Sequence, residues 1–522
     1  MARVLNRLLG LVGLFVFLHL SFLAFKRYLE SPWSSGLDNV GADFVNEPPA
    51  VIPNEGLTKD GKPRIDPKYC RYNACLKGRW VPREPQFANL KEFQEVFAKG
   101  GSPWHRCPID GPPPGVTRTE EETKELEGQR LVDMMNWVWK PETGEQIPFD
   151  AEDFVVRLLK APAGIIFMGD SVSAGHEHAF GSYLEQGGIK FQRIPVVINS
   201  NQTEGIRPHI LHPDDPLTYE LQRRAGVPDS RLKYPIFNII EDHMLLHPPD
   251  IRRITENHGA EEGFTWHLKM KRVDGWEDYL ADITRPREGE EDSVTADTIL
   301  VVNTGAHWSR GTLHMLPQNL GVAEEQRLLT EVYKDMMKIL VEKLSVFRQF
   351  KIIYRSTSPA HPNCRKKKFP YPNYEAARDA EATYVENVKE WAQDDGEAAG
   401  PAWVRLRWDW DMFNVHNGLW KTEVARLQEE RKMKANTALE MGVDPEDLDG
   451  AGLGPKWLYV DFWEMALQRP DAHSDCLHCT CRPFHPSARY LLINRSRVLA
   501  GHVFRMDSTS VSSVVSRGFA VM

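Results

Sequence analysis

Ile165-Ile166-Phe167-Met168-Gly169-Asp170-Ser171-Val172-Ser173-Ala174-Gly175-His176 decides how this chain folds. Four apolar residues run into a Gly-Asp-Ser corner, and small residues follow. The pattern reads as a buried strand that stops abruptly, with a helix beginning at the serine. Such a corner leaves the Ser171 hydroxyl at a strand's C-terminal edge. The first amides of the next helix then face any negative charge that develops on a substrate oxygen. Asp and Ser are also good helix caps, so the corner alone does not make Ser171 a nucleophile.

The same grammar recurs downstream. Thr298-Ile299-Leu300-Val301-Val302-Asn303 runs into Thr304-Gly305-Ala306-His307-Trp308, and Lys351-Ile352-Ile353-Tyr354-Arg355 breaks at Ser356-Thr357-Ser358-Pro359. Trp457 to Phe462 reads as the last strand. Between them lie helical patterns: a short one from Phe87 to Phe97, one capped by Asp150 with an apolar face at 154, 155, 158 and 159, and a long amphipathic one from Ala323 to Phe347. Apolar strands alternating with helices predict an α/β fold, a parallel sheet flanked by helices with its functional loops at one edge. Ile194 to Ile198, Ile236 to Ile240 and Phe264 to Leu268 are expected as further strands. The rest of 201–294 is hard to read, and the charged stretch 417–450 is expected to be an exposed helical insertion ending in a Gly-rich turn.

The chain has 522 residues, long enough for one large domain or two medium ones. Its net charge, 64 − 73 = −9, leaves no general basic character for nucleic acid to answer to. The basic run Arg365-Lys366-Lys367-Lys368 reads as a solvated turn. Leu8 to Phe25 is an apolar run of 18 flanked by Arg3, Arg7, Lys26 and Arg27, near the minimum length for a membrane-spanning helix. No small-x-small cleavage site follows, so the run is expected to stay as an anchor. The sequons at Asn201 and Asn494, and seven cysteines suited to disulfides, place the body in an oxidising lumen. The expected organisation is a cytoplasmic tip and transmembrane signal anchor at 1–27, a Pro- and Gly-rich stem at 28–69, an N-terminal subdomain at 70–150 and a main domain at 151–522, with 201–294 and 417–450 as insertions. The expected location is the Golgi or secretory-pathway lumen, as a single-pass type II membrane protein.

The densest polar chemistry lies near the C-terminus, in Arg469-Pro470-Asp471-Ala472-His473-Ser474-Asp475-Cys476-Leu477-His478-Cys479-Thr480-Cys481. Asp475 and His478, three apart, can sit side by side, the carboxylate fixing the imidazole tautomer whose other nitrogen accepts a serine proton. Ser171, Asp475 and His478 are therefore candidate catalytic residues. His473, Cys476, His478, Cys479 and Cys481 could also suggest zinc, but no second Cys-x-x-Cys pair supports a metal site. Disulfides among Cys75, Cys107, Cys364, Cys476, Cys479 and Cys481 fit the compartment better.

Taken in order, these stretches resemble the PC-esterase group of SGNH-type serine esterases, and most closely the trichome-birefringence-like polysaccharide O-acetyltransferases. The resemblance spans about 75–500 and rests on Cys75 with Gly78-Arg79-Trp80-Val81, Trp137 to Pro141, Pro148 to Leu159, Gly169-Asp170-Ser171, Asn303 to Trp308, Arg355 to His361, and Arg469 to Cys479. It implies an SGNH-hydrolase-like sheet, Ser171 as nucleophile, His478 as general base and acid, Asp475 as its orienter, and a Cys364–Cys476 bridge. The family usually carries Arg and Asn three and four residues after the serine, where this chain has Ala174 and Gly175.

The expected activity is transfer of an acetyl group to hydroxyls of a polysaccharide or glycan through an acyl-serine. Donors for the developing oxyanion are sought at the amides of Ser171 and Val172 and at Asn303 and Gly305. Gly169, Asp170, His307 and Arg355 complete the oxyanion and substrate candidates. No bound cofactor is expected, and the acyl donor, acetyl-CoA or another acetyl ester, is not encoded in any visible motif. The other readings are an acetyl esterase of the same family and a non-catalytic glycan-binding protein on the same fold.

Overall fold

The computed structural model describes residues 68–478 with internal gaps, chiefly at 98–106, 197–203, 265–269, 392–407, 443–452 and 474–475, and shorter ones at 71, 108, 110, 113–114, 319 and 362–363. The anchor, the stem, both sequons, Cys479 and Cys481 lie outside the described residues. Among the described residues no helix is long and apolar enough to cross a membrane.

Among the described residues nine strands form two sheets. β1 (Gly78–Pro82) and β2 (Trp137–Pro141) pair antiparallel on their own. The central sheet comprises β3 (Ile165–Gly169), β4 (Phe191–Arg193), β5 (Ile206–Leu211), β6 (Phe237–Glu241), β7 (Thr298–Asn303), β8 (Phe350–Arg355) and β9 (Lys456–Val460), in the order β4-β5-β6-β3-β7-β8-β9. From β6 to β9 every pairing is parallel, and β5 and β4 close one edge antiparallel. The helices are α1 (Leu90–Phe97), α2 (Glu120–Met135), α3 (Ala151–Leu159), α4 (Ser171–Gln186), α5 (Pro216–Ala225), α6 (Pro248–Asn257), α7 (Trp276–Ile283), α8 (Val322–Ser345), α9 (Tyr374–Trp391), α10 (Phe413–Glu440) and α11 (Trp463–Leu467).

The apolar runs that announced strands are runs because both sheet faces are covered. Every residue of β3, β6, β7 and β8 is buried. Along β3, Ile165 and Phe167 join one core with Phe154 and Leu158 of α3 and Phe180 and Leu184 of α4. Ile166 and Met168 point the other way, into a core with Trp276 of α7, Met336 and Leu340 of α8 and Trp420 of α10. The chain thus lays helices on both faces of one sheet.

Three expectations need correction. The strand sought at Ile194 to Ile198 begins earlier, as the short edge β4 at Phe191–Arg193, with Ile194 N–H donating to Pro208 C=O at 3.0 Å, and 197–198 lie outside the described residues. The stretch 201–294, expected as an insertion, supplies β5 and β6, and β6 lies directly against the serine-bearing β3. Nor does 417–450 lie wholly on the surface. The first half of α10 buries His416, Asn417, Trp420 and Val424, because the apolar side chains on that face complete the core over β8 and β9.

Residues 70–150 share their interior with the rest of the fold. Trp80 and Trp139 belong to the same cluster as Phe167 and Phe180, and Ala472 closes the smaller cluster of Phe93, Leu131 and Val132. The Trp80 indole also donates to the Met465 carbonyl at 3.0 Å. The N-terminal pair of strands is therefore a brace for the C-terminal segment.

The chain builds β6 on one side of β3 and β7, β8 and β9 on the other, which puts the reversal of strand order between β3 and β7. In open parallel sheets that crevice is where ligands bind. Here the two backbones touch: Gly169 has φ 147°, and a Cβ on it would lie 1.9 Å from the Asn303 carbonyl oxygen and 2.6 Å from Ser173 Oγ. Gly169→Ala must push β3 and β7 apart at their crossing. It is expected to cost ~3 kcal/mol or more, read as an earlier midpoint in urea unfolding followed by tryptophan fluorescence.

Candidate active site

Asp170 is the helix cap. Its Oδ1 accepts from the Val172 amide at 2.9 Å, and this carboxylate satisfies one orphan donor of α4. That leaves Ser171 as the first residue of the helix, half-buried at the edge of the sheet. The other Asp170 oxygen, Oδ2, accepts from the Ala306 amide at 3.4 Å. One buried carboxylate therefore ties the start of α4 to the turn after β7.

Ser171 Oγ lies 2.6 Å from His478 Nε2, across 307 positions of sequence. The loop that delivers His478 is moored on several sides. Cys476 forms a disulfide with Cys364, and its carbonyl accepts from the His361 amide at 2.7 Å. Arg130, from α2, donates to the carbonyls of Cys364, Asp471 and His473 at 3.4, 3.3 and 3.1 Å. Arg469 pairs with the buried Asp471 at 2.9 Å, donates to Met134 C=O and lies 4.4 Å from the Trp80 ring. Cys476 itself adopts φ 70°, a left-handed conformation that costs about 1–2 kcal/mol outside glycine. The cross-link and the amide contact hold it there, and the turn brings His478 back over Ser171.

A second disulfide joins Cys70 to Cys75, and Cys107 is disulfide-bonded as well. Asp475 lies outside the described residues. Among the described residues no group of three or more His, Cys, Asp or Glu side chains is placed to hold a metal ion.

The oxyanion candidates divide. The Val172 amide is committed to Asp170. The Asn303 amide group donates to Arg355 C=O and to Thr357 Oγ1, both at 3.0 Å, so it clips β7 to the turn after β8. Arg355 is fully buried and donates to Ser358 Oγ at 3.2 Å. Val172, Asn303 and Arg355 thus hold the walls of the site, and their donors face inward to the protein. The amides of Ser171 and Gly305 have no hydrogen-bond partner among the described residues. Gly305 is wedged against Thr357, where a Cβ would lie 2.3 Å from Oγ1. Thr357 is in turn gripped by Asn417, which accepts from its amide at 2.7 Å and donates to its carbonyl at 2.9 Å. Behind the same turn, Tyr333 and Tyr354 both donate to Thr304 C=O, at 2.6 and 2.8 Å.

His307 stands near His478 and stacks on His243 with ring centroids 4.0 Å apart, while Trp408 meets it edge-on at 5.3 Å. Burial, reinforced by the His478 imidazole, lowers His307 to about 4. Burial and the His307 ring lower His243 to about 4. Both are neutral at physiological pH, so neither opposes a positive charge arriving on His478. His243 is the functional neighbour that sequence reasoning missed. Its signal was the polar Glu241-Asp242-His243 step that ends β6, the same strand-to-turn change seen at Ser171 and at Asn303.

No family model matches the chain, and no curated protein matches it in sequence. The site is thus described by its own geometry: a hydroxyl in contact with an imidazole at the strand-order reversal of a parallel sheet.

Other imidazoles are locked inside the fold. His416 is stacked on Tyr333 at 3.7 Å, and burial lowers it to about 3. His361 is held at about 4 by burial. A folded-state pKa below the unfolded 6.5 means the native protein binds fewer protons than the unfolded chain. Each such group supports the fold above pH 6.5 and loses that support as pH falls toward its folded pKa. Asp242 and Asp409, raised to about 6 by burial, work in the opposite sense. The clean measurement is therefore a difference. His416→Phe keeps a flat ring on Tyr333, and its stability relative to the native chain is expected to rise as pH drops from 7 to 4, by about 1.4 kcal/mol per pKa unit removed. Thermal melts of both proteins across that range check it.

Proposed function

We propose that the protein is a serine-dependent acyltransferase that moves an acetyl group onto hydroxyls of a polysaccharide or glycan. The observation that carries this reading is the 2.6 Å contact between Ser171 Oγ and His478 Nε2. A hydroxyl is a weak nucleophile until a base within hydrogen-bond reach takes its proton. His478 removes that proton as Ser171 attacks the acetyl carbonyl carbon, and returns it to the departing alcohol or thiol. The acyl-serine is then attacked by a sugar hydroxyl, whose proton passes to His478 and on to Ser171 as the ester leaves. Asp475, three residues before His478, is assigned to hold the imidazole tautomer.

The tetrahedral oxyanion is assigned to the amides of Ser171 and Gly305. The first lies at the N-terminus of α4, where aligned peptide dipoles favour negative charge. The second sits on the turn that Asp170, Thr357 and the two tyrosines hold rigid. Donors fixed before the reaction cost no reorganisation when charge develops. The neutral His243–His307 pair leaves room for the imidazolium.

The order of motifs supports the kinship with the trichome-birefringence-like O-acetyltransferases, with the acceptor a glycan and the acyl donor acetyl-CoA or another acetyl ester. In this reading the run Leu8 to Phe25 tethers the body in the Golgi lumen, where glycan acceptors pass. With water in place of a sugar hydroxyl the same machinery is an acetyl esterase, and product mass after incubation with an acetyl donor and oligosaccharides separates the two.

Ser171→Ala and His478→Ala are each expected to lower ester turnover by ~10³-fold or more while leaving the melting temperature nearly unchanged. A well-folded Ser171→Ala protein with full turnover would refute the mechanism.

A further inference from the structure

Gly175 is a glycine without a structural reason. It lies inside α4, where glycine is less favourable than alanine because it loses more backbone freedom on folding. Most other glycines in this fold have visible work, Gly111 and Gly418 excepted. Fourteen adopt positive φ, and Gly175 is not one of them. Others admit a close neighbour: Gly187 lets Ala151 approach, where a Cβ would lie 2.4 Å from the alanine methyl, and Gly181 lies against Phe237. Among the described residues an added Cβ at Gly175 meets nothing within 4 Å. The residue is exposed although its neighbours from Val172 to Ala174, and His176 and Glu177, are buried. It opens outward from the site.

Its position in the helix is what matters. Gly175 is four residues after Ser171, so the two share a face, one turn apart. Side chains on an α-helix lean toward its N-terminus and cover the preceding turn. Any side chain longer than a methyl at 175 therefore reaches back toward Ser171. His478 already occupies one approach, 2.6 Å from Ser171 Oγ.

We infer that Gly175 determines specificity: the missing side chain keeps the approach to Ser171 open for a bulky substrate, of the size of a sugar chain, lying along the outer face of α4. The inference rests on Ser171 being the nucleophile, and it goes beyond that by naming the residue that sets the size of what the nucleophile can meet. Polar groups continue along the same face, with His178 half-buried and Ser182 Oγ donating to the His178 carbonyl at 3.0 Å.

The test is covalent labelling of the full chain with two fluorophosphonates, one carrying only small alkyl groups and one carrying a bulky aryl group. In each, Ser171 oxygen displaces fluoride from phosphorus and the hydroxyl proton passes to His478. Intact mass gives the rate. Gly175→Leu is expected to slow the bulky probe by ~10-fold or more and the small probe by less than about 2-fold, with Gly175→Ala in between. Both variants are expected to melt no lower than the native chain, because alanine and leucine are better helix formers than glycine. A ratio of the two rates unchanged from the native chain overturns the inference alone. A native chain labelled by neither probe overturns the nucleophile assignment and the inference with it.

Discussion

The Asp170 carboxylate is the constraint on which the rest of the site depends. One of its oxygens holds the first turn of α4, and the other holds the turn that follows β7. These are the two strand ends that meet where the order of the sheet reverses. With the carboxylate fully buried, both amides are satisfied inside the protein. Ser171 is thereby fixed at the helix start, with its own amide and that of Gly305 directed by backbone and not by mobile side chains. A third layer stiffens the same turn: two tyrosine hydroxyls share the Thr304 carbonyl, and Asn417 brackets Thr357. Buried polar networks of this kind are costly when incomplete, so they specify one arrangement.

The imidazole reaches the site by a different principle. His478 stands on a short loop without regular structure of its own, and its position is imposed from outside. Arg130 gathers three carbonyls, the Cys364–Cys476 bridge closes a separation of 112 residues, and the Arg469–Asp471 pair sits against Trp80. Trp80 and Arg130 come from the N-terminal part of the fold, which explains why that part shares its interior with the main sheet. Closing so long a loop by a covalent link removes roughly 5 kcal/mol of freedom from the unfolded chain in the entropic model.

Charge near the serine is arranged by exclusion. His243 is kept neutral by burial and the His307 ring, and His307 by burial and the His478 imidazole. Glu241, at the end of β6, is buried, yet Arg207 and Lys271 hold its carboxyl below the usual range, at 2.8 and 2.7 Å. The Glu241 charge is thus held by two cations at the end of β6, and the two imidazoles nearest His478 are neutral.

Much of the sheet was legible in the residues themselves. β3, β6, β7, β8 and β9 are continuous apolar runs ending in polar turns, because parallel strands covered on both faces admit little else. The Asp150 cap and the helix behind it were legible for the same local reason. The antiparallel edge was not: β4 is three residues long and two of those residues are exposed, so no run marks it. The burial of Trp420 within a charged helix was equally hidden, since one face of α10 is core only because β8 and β9 lie beneath it. Within the site, Ser171 and His478 announced themselves by residue type and setting, whereas His243 did not, its strand being recognised but its polar end passed over. Sequence alone determined which strands are buried and which residues were candidates for the site, because those properties follow from neighbours along the chain. That the serine and the imidazole touch, that Asn303 and Val172 serve as clamps, and that Gly175 is open were decided only by the tertiary structure, because each depends on groups brought together from distant parts of the backbone.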